Sequence, residues 1–271
     1  LGYNTKIDWC DASWNPVTGC LHDCEYCYAR GIAHRFGGFS CSENGEWDSY
    51  RARYLRDFKN SAFELDKPLT IKRDGERRKA PYPFEFAPTL HRYRLKQPAE
   101  WTQPRTIFVC SMSDLFGAWV PDEWIQDVFS ACDAASWHKY LFLTKNPARY
   151  IDLAKKGMLP EKHWYGYSAT TDDMLWKFHH ADECPVKNLF VSIEPIHGDF
   201  STPFSTHCPA DWVIVGAETG KRKDIIRPER EWVDGLLRQC EYSGRPIFMK
   251  ESLKELMGSS FKQEFPWECK R

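Results

Sequence analysis

Three cysteines packed into eight residues are the densest chemistry in the chain: Cys20, Cys24 and Cys27, in the run Gly19-Cys20-Leu21-His22-Asp23-Cys24-Glu25-Tyr26-Cys27-Tyr28. The spacing is C-x3-C-x2-C, with an aromatic just before the last cysteine. Three thiolates on one short loop can hold three irons of a [4Fe–4S] cube. Such clusters usually take four cysteines, so a loop that offers three leaves one iron with an open position for a cofactor or substrate. A tight turn at Gly19 would let backbone amides donate to the sulfurs and tune the potential. The alternative is zinc. Zinc closed by sulfur normally takes two C-x2-C pairs, or one such pair with two histidines. Here there is one C-x2-C and no second pair, and His22 is wrongly spaced for a finger. Chance clustering of core cysteines fits poorly with the polar neighbours His22, Asp23 and Glu25.

The other eight cysteines are scattered, which makes eleven in all, an odd number in a chain of 271 residues. A chain this long can build its own core, so a disulfide scaffold is not expected. Lys+Arg number 37 against 38 Asp+Glu, a formal net charge of −1. A non-specific nucleic-acid binder would need a basic surplus, although a local basic groove stays compatible with this balance. No apolar run reaches the ~18 residues of a membrane span, and Leu1–Asp8 does not resemble a signal peptide. The expected compartment is the cytoplasm.

The cysteine loop needs a scaffold, and the pattern after residue 105 supplies one. Short apolar, β-prone runs occur at Thr106–Cys110, Tyr140–Leu143, Trp164–Tyr167, Leu189–Ile193, Trp212–Val215 and Ile247–Met249. Helix-like stretches lie between most of them, which suits successive βα units. Nearly continuous apolar runs are what parallel strands buried on both faces show. Trp124, Ile125, Val128, Phe129 and Cys132 form one helical stripe. Trp232, Val233, Leu236, Leu237 and Cys240 form another, stopped by Gly244 and Pro246. Cys132 and Cys240 therefore read as core. A third helix is expected from Asn146–Pro147 to near Gly157. In the first third, Trp14–Thr18 reads as a strand leading into the cysteine loop, Tyr28–Phe36 as a helix and Phe84–Phe86 as a second strand. Residues 37–82, with the charged run Lys72–Lys79, read as an insertion or lid. The expectation is an α/β fold, a partial or full (βα) barrel of six to eight parallel strands. It would form a single domain over 1–271.

The cysteine motif resembles that of the radical S-adenosylmethionine enzymes. Further segments narrow the likeness: Thr5-Lys6-Ile7-Asp8-Trp9, Trp14-Asn15-Pro16-Val17-Thr18-Gly19, Ser113-Asp114-Leu115-Phe116, Leu143-Thr144-Lys145-Asn146-Pro147, Val191-Ser192-Ile193-Glu194-Pro195, Trp212–Gly220, Arg227-Pro228 and Phe248-Met249-Lys250. Together they are similar to a phage-protein-like family of radical S-adenosylmethionine enzymes that includes queuine lyase. The resemblance implies a [4Fe–4S] cluster on Cys20, Cys24 and Cys27, and S-adenosylmethionine chelated by the open iron. It implies a 5′-deoxyadenosyl radical that abstracts hydrogen, and a reducing donor such as flavodoxin or ferredoxin. The implied reaction is that of a lyase breaking a carbon–nitrogen bond in the free base queuine, releasing an aminomethyl-7-deazaguanine in queuosine salvage. This sequence departs from the family at Gly216-Ala217-Glu218-Thr219-Gly220 and at Lys250-Glu251-Ser252, where substrate contacts could sit. Two alternatives stand beside it: a radical enzyme modifying or repairing nucleobases in DNA or RNA with 72–79 as docking surface, and a non-enzymatic metal-stabilised binding module.

Ligands of α/β barrels bind at the carboxyl ends of the strands. The polar residues there are therefore the candidates. Tyr26, beside the cluster, is placed for adenine. Ser111 and Ser168 suit ribose or the amino group, and Lys145 suits the methionine carboxylate or the ribose. Asp114 joins this cofactor set, with a helix cap as its plainer role. Glu194 and Glu218 end apolar strands, where an unpaired carboxylate would be costly. A guanine-like edge offers the N–H and NH2 donors that match one carboxylate, so both are assigned to substrate. Arg227 is the alternative partner for one of them. Lys250 is a substrate contact or the ion-pair partner of Glu251. No catalytic residue is assigned.

Overall fold

The computed structural model describes residues 5–38, 62–73, 75–178, 186–204, 208–220 and 222–268. Much of the expected insertion, residues 39–61, lies outside the described residues. Two compact units make up the chain: residues 1–3 with Ala12–Lys139, and Asn4–Asp11 with Tyr140–Arg271.

The first unit holds β1 (Ala12–Trp14), β2 (Val17–Thr18), α1 (Tyr28–Phe36), β3 (Phe63–Leu65), β4 (Thr70–Arg73), β5 (Glu76–Lys79), β6 (Thr89–His91), β7 (Thr106–Val109) and α2 (Asp122–Ala134). β1 and β7 are parallel, with Ala12 opposite Ile107 and Trp14 opposite Val109. The single strand expected over Trp14–Thr18 is two strands in two sheets. Asn15-Pro16 separates them, and Pro16 has no N–H to give to a ladder. β2 pairs antiparallel and β3 parallel with β6. The expected strand Phe84–Phe86 is a turn, with Glu85 at φ 55°, and the strand is β6 instead. Phe84 still packs, stacked on Phe63 with ring centroids 3.8 Å apart.

α1 and α2 follow their sequence patterns. α2 carries Asp122 and Glu123 in its first turn, where carboxylates face the positive end of the helix. It buries Trp124, Ile125, Val128, Phe129 and Cys132. The Trp124 Nε1–H donates to Glu64 Oε1 at 2.6 Å, which ties α2 to β3.

The second unit holds β8 (Lys139–Thr144, starting at the boundary), α3 (Ala148–Lys155), β9 (Trp164–Ser168), β10 (Leu189–Ile193), β11 (Trp212–Val215), α4 (Arg230–Ser243), β12 (Ile247–Met249) and the short α5 (Lys254–Met257). Each strand lies parallel beside the one before it in sequence. That regular winding is the pattern of a (βα) barrel, not of a doubly wound sheet whose order reverses. β10, β11 and β12 are buried along their whole length, as their unbroken apolar runs imply. Gly166 on β9 lies opposite Phe190 on β10, and a Cβ there would sit 2.3 Å from that ring. α4 ends at Gly244 in the left-handed conformation (φ 65°), and the Arg245 N–H returns to the Cys240 carbonyl at 2.9 Å. Cys132 and Cys240 are both core residues. With β1 and β7, the parallel strands among the described residues number seven, within the expected six to eight.

Candidate active site

In the first unit, main chain pins the stem of the cysteine loop. The Gly19 N–H donates to the Met112 carbonyl at 2.9 Å and the Cys20 N–H to that of Phe86 at 3.1 Å. Gly19 has φ 85°, and a Cβ there would lie 2.2 Å from the Ala87 carbonyl oxygen. No other residue could make this approach. Cys20, Cys24 and Cys27 are free and half-buried. Cys27 is the N-cap of α1, and its Sγ accepts the Arg30 N–H at 3.4 Å. Cys20 and Cys27 both pack against an apolar patch of Ala29, Ala33, Phe86 and Met112.

Burial pushes the Cys20 thiol up to about 12, against the opposing pull of the His22 backbone hydrogen bond. A ligand metal must displace that proton. Among the described residues, no three His, Cys, Asp or Glu side chains gather closely enough to hold a single metal ion. A [4Fe–4S] cube takes its protein ligands as one cysteine thiolate per iron. The donor set, the amide on Cys27 and the apolar wall fit a cluster of that kind.

Of the expected cofactor contacts in this unit, Tyr26 is half-buried next to Cys27. Ser111 donates to Asn15 Oδ1 at 3.2 Å, and its carbonyl accepts the Tyr28 hydroxyl at 2.9 Å. Asp114 is engaged at both oxygens: Oδ2 lies 2.6 Å from His22 Nε2, and Oδ1 accepts the Phe116 N–H at 3.0 Å. It caps no helix: the Phe116 contact closes a turn, and α2 begins only at Asp122 with Pro121 as its N-cap. Its link to His22 was invisible in sequence, because 92 residues separate the two.

The second unit gathers the strand-end residues. Lys145 follows β8 and is half-buried, while Ser168 ends β9 and is buried. Past β10, Glu194 pairs with Lys250, which follows β12. The Lys250 stem runs past Gly216, where a Cβ would meet its Cδ at 2.8 Å. Glu251 pairs with Lys254 instead, at 3.2 Å, so Lys250 is not its partner. The Glu218 side chain is only 3% exposed and is gripped by Arg222, Nε to Oε1 at 2.8 Å and Nη2 to Oε2 at 3.0 Å. Arg227 is therefore not its partner. Arg222 was legible only as a residue four positions on from Glu218.

His197 was also missed, although it lies three residues past Glu194. Its Nε2 is 3.4 Å from Glu218 Oε2, and its backbone N–H donates to the Thr170 carbonyl at 3.0 Å. The Arg222 hydrogen bonds hold the Glu218 carboxyl below the usual carboxylate range, and His197 adds to the effect. Chemically the unit offers two anionic groups, each with a cation beside it. Such pairs can exchange a partner for a ligand's N–H, O–H or carboxylate.

No curated protein matches the sequence significantly. Among solved structures, a cysteine-to-serine mutant of spore photoproduct lyase matches with a TM-score of 0.51 at 11% identity, covering 91% of this chain and 80% of that one. A cysteine-to-alanine mutant of the same enzyme with dinucleoside spore photoproduct matches with a TM-score of 0.50 at 10% identity, covering 90% and 79%. At such identities the likeness shows the fold, a partial (βα) barrel. A family model described as "protein of unknown function (DUF5131)" matches residues 4–258. The chain belongs to that family.

Proposed function

We propose that the protein is a radical S-adenosylmethionine enzyme acting on a purine-like nucleobase, as a lyase on a free 7-deazaguanine base of the queuine type. One observation carries the class: three half-buried thiols on one loop, the last capping α1 and receiving an amide N–H. Cys20, Cys24 and Cys27 would hold the cluster. When bound, cluster and S-adenosylmethionine supply a 5′-deoxyadenosyl radical for hydrogen abstraction. Tyr26, Ser111, Asp114, Lys145 and Ser168 serve the cofactor. Glu194 and Glu218 accept donors of the base, and Lys250 releases Glu194 to it. The cytoplasm keeps thiols reduced and suits such a loop. A low-potential donor such as flavodoxin or ferredoxin completes the set of partners.

The test is anaerobic reconstitution, then dithionite and S-adenosylmethionine with queuine, following 5′-deoxyadenosine and a 7-deazaguanine product. Both are expected. Cofactor cleavage with queuine untouched would leave the class and remove the substrate.

A second reading, a nucleobase within DNA or RNA, is favoured by the β4–β5 hairpin. Its register sets Lys72 opposite Arg77 and Thr70 opposite Lys79, so these share a face. Three cations lie there, while Glu76 lies on the other face with Arg78, 2.9 Å away. A phosphate backbone suits a face of that charge. One solved structure of the same fold holds a dinucleoside. Salt-dependent oligonucleotide binding, lost in a Lys72→Ala, Arg77→Ala, Lys79→Ala variant, would favour this reading. Turnover of free base by that variant would favour the first.

A further inference from the structure

The stem of the cysteine loop is held by main chain, but its tip, His22 to Tyr26, belongs to no strand or helix. Side-chain ties reach it at Asp23 and at His22. One is Asp23 to Arg30 at 2.5 Å, with Asp23 86% exposed. Pairs so open to water contribute little. The other is His22, whose Nε2 lies 2.6 Å from Asp114 Oδ2. The Asp114 side chain is 7% exposed. Its second oxygen is held by the Phe116 N–H at 3.0 Å, so the carboxylate cannot swing away without abandoning a buried hydrogen bond. Trp119 stands edge-on to the imidazole, with ring centroids 4.8 Å apart and planes at 77°. Gly117 makes room for that indole, since a Cβ there would lie 2.4 Å from Trp119 Cζ2. The imidazole is thus held by a hydrogen bond at Nε2 and a ring contact.

His22 sits two residues from Cys20 and two from Cys24, so its tether limits where both sulfurs can go. We infer that His22, acting through Asp114, is a positioning residue that holds the tip of the cysteine loop in the shape that accepts an iron–sulfur cluster. Its bearing on a cluster rests on the radical-enzyme reading; the tether itself does not. The role belongs to this chain's own loop contents, because neither the cysteine spacing nor the open iron requires a histidine in the first gap. The network also sets a carboxylate beside the loop, and a negative charge there opposes reduction of a nearby cluster.

The test has two arms. In the iron-free chain, hydrogen–deuterium exchange compares wild type, His22→Ala and His22→Gln. His22→Ala is expected to speed exchange of the amides at 21–26 roughly tenfold, as loss of one hydrogen bond to a charged group allows. β7 and α2 should keep their protection. His22→Gln retains a side-chain N–H and is expected to restore slow exchange. After anaerobic reconstitution, iron per chain should fall by more than half in His22→Ala and recover in His22→Gln. Unchanged exchange at 21–26 would overturn the tether. Faster exchange with full iron loading would overturn its bearing on the cluster. Should wild type itself take up no iron, the radical reading and its cluster clause fail together, while the exchange arm still judges the tether. If His22→Ala unfolds the unit, Asp114→Asn carries the same comparison, since it keeps an oxygen for Phe116 and removes the carboxylate from His22.

Discussion

Replacing Arg222 by alanine tests whether the carboxylate at the end of β11 is held as the geometry says. Glu218 has a side chain 3% exposed and receives two N–H donors from Arg222, at 2.8 and 3.0 Å. The His197 Nε2 also lies 3.4 Å from Glu218 Oε2. Breaking a fully buried pair costs about 3–5 kcal/mol. Arg222 is 26% exposed, so water can take part of its place, and about 2 kcal/mol is expected. The sign of the pH dependence follows from the depressed Glu218 carboxyl. Its contribution is fully present above the ordinary value of 4.5 and fades as pH falls toward its own lower value. Urea unfolding of wild type and Arg222→Ala at pH 7.5 should therefore show the gap of about 2 kcal/mol. At pH 4 the gap should shrink, because the unfolded reference is then largely protonated while folded Glu218 is still charged. Equal midpoints at pH 7.5, or a gap that widens toward pH 4, would refute the reasoning.

Other outcomes are as specific. Cys24→Ala should lose most of its iron after reconstitution and all S-adenosylmethionine cleavage, while retaining the wild-type circular dichroism spectrum. Gly166→Ala drives a methyl into the Phe190 ring at 2.3 Å, and overpacking of this kind should lower stability by about 1–3 kcal/mol in thermal or urea unfolding. Lys250→Met breaks the pair with Glu194, whose side chain is 29% exposed, so stability should change by no more than about 1 kcal/mol. Base consumption in that variant should fall more than tenfold, with cofactor cleavage preserved. A drop in both activities together would remove Lys250 from the substrate side.

The barrel was legible where burial is two-sided. β10, β11 and β12 have the boundaries their apolar runs imply, and the helical stripes expected around Trp124–Cys132 and Val233–Cys240 are buried in α2 and α4. The signal failed where polar residues are buried because they are hydrogen-bonded. β6 contains Thr89 and His91, both buried. His91 Nε2 lies 2.9 Å from Thr18 Oγ1, and Thr89 Oγ1 donates to the Ala87 carbonyl. Neither looks apolar, so the aromatic run Phe84–Phe86 took the strand's place on paper. The cysteine loop was legible because its chemistry is local. The partners were not. Arg222 replaced Arg227 because a residue four positions from Glu218 reaches back to it, and the pairing of Lys250 with Glu194 spans 56 positions. Long-range ties leave no mark in spacing.

The central claim is that three neighbouring sulfurs ligate a four-iron cluster whose last iron is open to S-adenosylmethionine. Mössbauer and electron paramagnetic resonance spectra of anaerobically reconstituted, reduced protein, with and without isotopically labelled S-adenosylmethionine, test it most directly. The account predicts a [4Fe–4S] signal that shifts on adding the cofactor, with a hyperfine coupling from the label on its amino nitrogen or carboxylate oxygen. A lone zinc ion, no metal, or a cluster whose spectrum ignores the cofactor would contradict it.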